Sequence, residues 1–212
     1  GSQETLSRKG FLPPEAIINM QRIFIFDAAR CFGCNGCAAA CANVNHTPGG
    51  LFRRTIHKLP PHDGDHKTIY LSIACNHCEN PPCVKGCPAN ALEKRKSDGI
   101  VVHYPDKCLG CRYCQMACPY DAIKWEEDAR VISKCHFCHE RLAKGGEPAC
   151  VETCFAGALK QKLVIFDDLP VEYKKESPGF KYIENIGPAV RFINAAVSAC
   201  KTGEHVNIKR GQ

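Results

Sequence analysis

No apolar run in the 212-residue sequence approaches the ~18 residues of a membrane-spanning helix, so no direct membrane span is expected. The sequence also lacks a Ser/His/Asp set, a phosphate-cradling glycine loop and a GxGxxG turn, and with them the usual signs of nucleophilic, phosphoryl-transfer and hydride chemistry. Long single-sign charge blocks are missing. Glu93-Lys-Arg-Lys96 is too short and mixed for a nucleic-acid arm. Charged residues at 24% beside 17 Gly and 14 Pro exclude a disordered or fibrous chain. Residues 1–20 have no apolar signal centre, and Arg53-Arg54 lies too far along the chain to act as a twin-arginine signal.

Cysteine, by contrast, is abundant. There are 17 in 212 residues, a level at which cysteine chemistry rather than a large apolar core is expected to hold a chain together. Sixteen fall into four groups: Cys31, Cys34, Cys37, Cys41; Cys75, Cys78, Cys83, Cys87; Cys108, Cys111, Cys114, Cys118; and Cys135, Cys138, Cys150, Cys154. The first and third have the spacing C-x2-C-x2-C-x3-C, with Pro119 after Cys118, which is the bacterial ferredoxin run. The second widens one gap by Glu79, Asn80, Pro81 and Pro82, and the fourth opens it from His139 to Ala149, starting with a glycine-closed helical turn or two.

In that run three thiolates wrap one cubane, while the fourth, already on a helix, points to the neighbouring cluster. Cys87 and Cys108 are 21 positions apart, about what the two halves of a two-cluster ferredoxin need, so the second and third groups form one unit and the first and fourth pair around it. The crossed rule then gives four [4Fe-4S] sites: Cys31, Cys34, Cys37 with Cys154 (cluster 1); Cys41 with Cys135, Cys138, Cys150 (cluster 2); Cys75, Cys78, Cys83 with Cys118 (cluster 3); and Cys87 with Cys108, Cys111, Cys114 (cluster 4).

The expected fold is α+β. It comprises two ferredoxin-like two-cluster modules, one inserted in the other, with long loops and a C-terminal arm. Residues 20–60 plus 130–168 make the first module, 61–129 the inserted second, and 169–212 the arm, which is expected to lie on a partner and to hold a helix over 189–200. Strands are expected at Arg22–Phe26, Thr68–Ile73, Ile100–His103 and Leu163–Phe166. A phrase repeats after three of the groups: Cys87-Pro-Ala-Asn-Ala-Leu, Cys118-Pro-Tyr-Asp-Ala-Ile and Cys154-Phe-Ala-Gly-Ala-Leu. Its alanine and branched residue can cover a cluster against water.

Cys75-Asn-His-Cys-Glu-Asn-Pro-Pro-Cys83, Cys108-Leu-Gly-Cys-Arg-Tyr-Cys-Gln-Met-Ala-Cys-Pro-Tyr120 and Leu51-Phe-Arg-Arg54 resemble signatures of the four-cluster iron-sulfur subunits of molybdopterin oxidoreductases, the dimethyl sulfoxide, polysulfide, thiosulfate and arsenate reductases. The resemblance covers roughly residues 20 to 165. It implies a non-catalytic electron-transfer subunit, a wire running from cluster 1 beside a large molybdenum or tungsten pterin subunit to cluster 4 facing a quinone-linked membrane subunit or another donor or acceptor. It also implies co-export beside a signal-bearing partner to the periplasm or outer face of the cytoplasmic membrane, with the cytoplasm as the other location. Where the nitrate reductase branch carries tryptophan, this chain has Cys111, so a complete four-iron set is implied.

Two other readings compete. One is a soluble polyferredoxin adaptor for a hydrogenase or carbon monoxide dehydrogenase. The other is a zinc-structured binding module, whose sites typically join two separated cysteine pairs rather than repeating three-cysteine runs. His77, His136 and His139 lie among the ligands, yet all sixteen cysteine places are filled, so they read as hydrogen-bonding or surface groups rather than Rieske ligands. The formal charge of +6 is offset by about −8 from four oxidised clusters, so nucleic acid is not an expected partner. Arg30, Lys107, Arg112 and Lys134 stand beside ligands and are the candidates for tuning the clusters. Cys200, without partners at ligand spacing, reads as an idle thiol. Cys200→Ser is expected to leave iron content and the paramagnetic resonance of the reduced protein unchanged; loss of one cluster would show that a ligand is misassigned.

Overall fold

The segment Met-Gln-Arg-Ile-Phe-Ile-Phe-Asp is apolar at successive positions, so as a strand it needs cover on both faces. In the computed structural model, which describes residues 20–60 and 68–194, this segment is β1 (Met20–Asp27), the centre of a three-stranded sheet. Strand β8 (Leu159–Ile165) pairs with it antiparallel, placing Phe26 opposite Leu159, and β9 (Val190–Ile193) pairs with it parallel. Phe24 and Phe26 enter the main core beside Cys75, Cys135 and Cys150. Ile23 and Ile25 enter a second layer with Ala189, closed by Val164, Phe166, Leu169 and Tyr173.

That second layer corrects one expectation about residues 169–212, the helix over 189–200. Val190–Ile193, the start of the expected helix, is a strand, because an aromatic and β-branched run pairs with the uncovered edge of β1. Residues 169–194 also pack on this chain itself. Phe180 stacks on Tyr120 at 5.2 Å, Phe192 is fully buried, and the backbone N–H groups of Glu79 and Asn80 donate to the carbonyls of Gly187 and Ile186. Residues 195–212, including Cys200 and the rest of the expected helix, lie outside the described residues.

The remaining strands form three hairpins: β2 (Thr55–Leu59) with β3 (Ile69–Ile73), β4 (Leu92–Lys94) with β5 (Val101–His103), and β6 (Ile123–Glu126) with β7 (Val131–Lys134). Helices are short, and four of the five described carry cysteine: Cys37 and Cys41 on the first, then Cys83, Cys114 and Cys150 on one each. The five are α1 (Gly36–Val44), α2 (Pro82–Lys85), α3 (Tyr113–Ala117), α4 (His139–Ala143) and α5 (Ala149–Glu152). Helix α1 packs on α5, and α2 packs on α3. The repeated phrase behaves as its chemistry suggests: Ala91, Leu92, Ala122, Ile123, Ala158 and Leu159 are all buried, and the branched residues open β4, β6 and β8. The architecture is α+β, and no helix among the described residues is long and apolar enough to cross a membrane.

Candidate metal centres

Each cysteine group opens with C-x-x-C, and the residue before its second cysteine is left-handed in all four: Gly33 (φ 76°), His77 (φ 44°), Gly110 (φ 67°) and Phe137 (φ 61°). This turn bends the loop so that backbone N–H groups face sulfur; the Phe137 N–H donates to Cys135 Sγ at 3.3 Å. Glycine adopts the turn freely. At Gly33 it is also required for space, since a Cβ there would lie 2.3 Å from the Tyr70 ring. His77 and Phe137 bear a strain of order 1 kcal/mol, offset by burial. Phe137 is 0% and His77 1% exposed, with their rings edge to face at 5.2 Å and Phe137 stacked on Phe24 at 4.0 Å.

The sulfurs gather by space rather than by sequence. Cys31, Cys34, Cys37 and Cys154 line one pocket, walled by Phe26, Ala158 and Leu159. A second is lined by Cys87, Cys108, Cys111 and Cys114 with Leu92 and Ile132. The other eight sulfurs lie deeper. Burial pushes the Cys41 thiol up to about 11, and the neighbouring sulfurs acting on it are those of Cys150 and Cys138. Burial also raises Cys135, whose nearest sulfur influences are Cys41 and Cys150. Cys78 is raised by burial and then by Cys75, Cys118 and Cys83, and Cys118 by burial and then Cys75.

Sulfurs of different sets also lie within electrostatic reach of one another. Cys150 acts on Cys37, Cys75 acts on Cys135, and Cys114 acts on Cys83. The two sets at the extremes each present an exposed cysteine, Cys34 and Cys111. Exposed apolar side chains stand beside both. Phe32 (50%) and Phe155 (79%) flank the first cavity, and Leu109 (71%), Tyr113 (51%) and Met116 (65%) surround the group at the other extreme.

Of the four cations singled out by sequence, Lys134 is buried, and its Nζ donates to the carbonyls of Val101 and Cys135. Arg30, Lys107 and Arg112 are exposed, the last two lying over the rings of Tyr104 and Trp125. Two cations without a ligand beside them in sequence turn out to be close to sulfur. Arg54 is buried, and the sulfurs whose charge would act on it are those of Cys150, Cys135, Cys37 and Cys41. Lys94 is pushed down to about 8 by burial, against the attraction of Cys78, Glu79 and Cys75, and donates to Gln21 Oε1 at 2.6 Å and Cys78 O at 3.0 Å. Among the histidines, burial and then Lys134 drive His77 well below the ordinary range. Its Nδ1 accepts the Val101 N–H at 3.0 Å, which leaves the hydrogen on Nε2. His136 pairs with Asn45 Oδ1 and stands edge to face with His139.

The sulfur-lined pockets have largely apolar walls, which suit a larger inorganic core. A family model described as a 4Fe-4S dicluster domain matches residues 66–163. The B chain of the anaerobic dimethyl sulfoxide reductase of Escherichia coli (strain K12) is 44% identical over 146 residues, spanning 64% of this chain and 70% of that protein. The B subunit of the tetrathionate reductase of Salmonella typhimurium is 44% identical over 137 residues, 63% of this chain and 54% of that protein. A putative dimethyl sulfoxide reductase iron-sulfur subunit of Halobacterium salinarum is 36% identical over 208 residues, 82% of this chain and 79% of that protein.

Proposed function

Since the chain belongs to the family of iron-sulfur electron-transfer subunits typified by those of the dimethyl sulfoxide and tetrathionate reductases, we propose that it holds four [4Fe-4S] clusters as a wire. The wire would run between a molybdenum or tungsten pterin catalytic subunit and a quinone-linked membrane subunit or other redox partner. The chain has no substrate site of its own in this reading, and it works at the outer face of the cytoplasmic membrane after co-export with a signal-bearing partner.

One observation carries the reading. The four sulfur sets proposed here lie within electrostatic reach of one another in order, 1 to 2 through Cys37 and Cys150, 2 to 3 through Cys135 and Cys75, and 3 to 4 through Cys83 and Cys114. Bound clusters supply one-electron relay sites. The chain's own residues fix their spacing, bury the inner two sets, and leave the outer two beside exposed apolar side chains suited to docking. The packing of α1 on α5 and of α2 on α3 supports the two-module arrangement, because each helix pair brings together the cysteine groups assigned to one module.

Iron and acid-labile sulfide should each come to about sixteen per chain in anaerobically purified protein. Stoichiometric zinc, or iron near eight, would overturn the four-cluster wire. Co-purification with a large molybdenum- or tungsten-containing subunit is expected; a hydrogenase or carbon monoxide dehydrogenase in its place would favour the adaptor reading instead.

A further inference from the structure

Arg54 is 2% exposed, and no described carboxylate pairs with it. A guanidinium cannot shed its proton, and burying an uncompensated ion costs several kcal/mol. Its visible partners do not supply the missing negative charge. Nη1 donates to Ser72 Oγ at 3.0 Å and to Ser72 O at 3.5 Å, the Phe24 ring lies 4.5 Å from the guanidinium carbon, and Nη2 has no partner. The groups whose charge would act on the cation are sulfurs of two sets, Cys37 of the first and Cys41, Cys135 and Cys150 of the second. Ser72 Oγ also lies 3.6 Å from Cys37 Sγ. Because the guanidinium donates to that hydroxyl oxygen, the hydroxyl hydrogen is free to point at sulfur.

We propose that Arg54 is a positioning residue shared by clusters 1 and 2, serving both as their buried counter-charge and, through Ser72, as the group that aims a hydrogen bond at Cys37. The proposal rests on the four-cluster reading. Reduction adds one electron and one negative charge to a cluster without breaking a bond. A fixed cation close to two clusters therefore favours the reduced form of both, and hydrogen bonds to sulfur act in the same direction. Ser72 touches only Cys37, so its contribution belongs to cluster 1 alone.

The test is a potentiometric titration of the assembled protein followed by paramagnetic resonance, with iron and sulfide measured on every sample, for wild type, Arg54→Gln, Arg54→Lys and Ser72→Ala. Arg54→Gln should lower two of the four midpoint potentials, the same two that Cys37→Ser and Cys41→Ser disturb. Each should fall by about tenfold in the reduction equilibrium, which is 59 mV for one electron. Ser72→Ala should lower only the potential that Cys37→Ser disturbs, and Arg54→Lys should recover most of the loss. Four unchanged potentials in an iron-replete Arg54→Gln protein would overturn the proposal, as would Arg54→Lys behaving like Arg54→Gln. Should the glutamine variant fail to retain clusters, a loaded lysine variant supports the charge role and an empty one overturns it. Wild-type iron near eight would reject the four-cluster reading independently of Arg54.

Discussion

Cys118→Ala is expected to damage the same cluster as Cys78→Ala, by resonance spectrum and midpoint potential, although Cys118 stands in the chain beside Cys108, Cys111 and Cys114. The reason is the short helix α3, which carries Cys114 toward its own set and ends at Cys118, where the backbone turns extended. From there the sulfur acts with Cys75 rather than with its sequence neighbours, and its own N–H-rich surroundings come from Tyr120 and Ala122. Cys87 shows the reciprocal arrangement. It follows the second group yet lines the cavity of Cys108, Cys111 and Cys114, where the Ala91 N–H donates to its sulfur at 3.3 Å. Cys111→Ala should accordingly match Cys87→Ala. Removing a ligand perturbs first the cluster it holds, so the expected loss is a whole signal rather than a small shift. Spectra that pair Cys118→Ala with Cys111→Ala, and Cys87→Ala with Cys78→Ala, would rule out the crossed ligation.

The cysteine groups were legible in the sequence because their spacing is local: in the first and third groups three sulfurs stand on a loop of seven residues and need nothing distant to bring them together. Strands with distant or very short pairings were less legible. β4, β6 and β7 hold three or four residues each, too few to display an alternation, whereas β5 falls within the strand expected at Ile100–His103. The segment Val190–Ile193 is β because β1 has an uncovered edge and a second apolar face, a requirement set more than 160 positions earlier in the chain. The pattern Ile-Phe-Ile-Phe was the available signal, since a strand apolar on both faces must find two layers of cover.

Cations divide in the same way. Proximity in sequence singled out Arg30, Lys107, Arg112 and Lys134, of which only Lys134 is buried. Arg54 lies 13 positions beyond Cys41 and meets sulfur only because β2 pairs with β3 and sets Thr55 opposite Ile73, next to Ser72. No local rule finds such a contact. Its motif, Leu51-Phe-Arg-Arg54, was visible only as a family likeness. The loop glycines tell a related story, for Gly33 and Gly110 serve the two exposed groups while His77 and Phe137 fill the equivalent places where the core must be closed.

Removing iron is expected to unfold the described fold rather than leave an empty shell. Five cysteines, Cys75, Cys135, Cys150, Cys83 and Cys114, belong to the two largest buried clusters of side chains, so without iron the core loses its cross-links at its centre. Arg54 and Lys134 are buried with no described carboxylate beside them. In iron-free protein the thiols could not replace the lost charge near neutrality, because burial holds Cys41 up to about 11 and Cys83 up to about 12, from an ordinary value of 9.0. Two uncompensated ions at several kcal/mol each consume a stability that for domains is typically ~5–15 kcal/mol. Alkaline pH gives no relief. A thiol raised in the folded state is protonated there while its unfolded counterpart ionises, so iron-free stability is fullest below about pH 9 and falls as pH rises toward 11. Anaerobic chelation should therefore abolish the cooperative thermal transition and expose the chain to protease within the described segments, with refolding on return of iron and sulfide. An iron-free chain that keeps the far-ultraviolet circular dichroism and melting transition of the loaded protein would show that packing alone holds these loops, and that the buried cations have counter-charges other than the clusters.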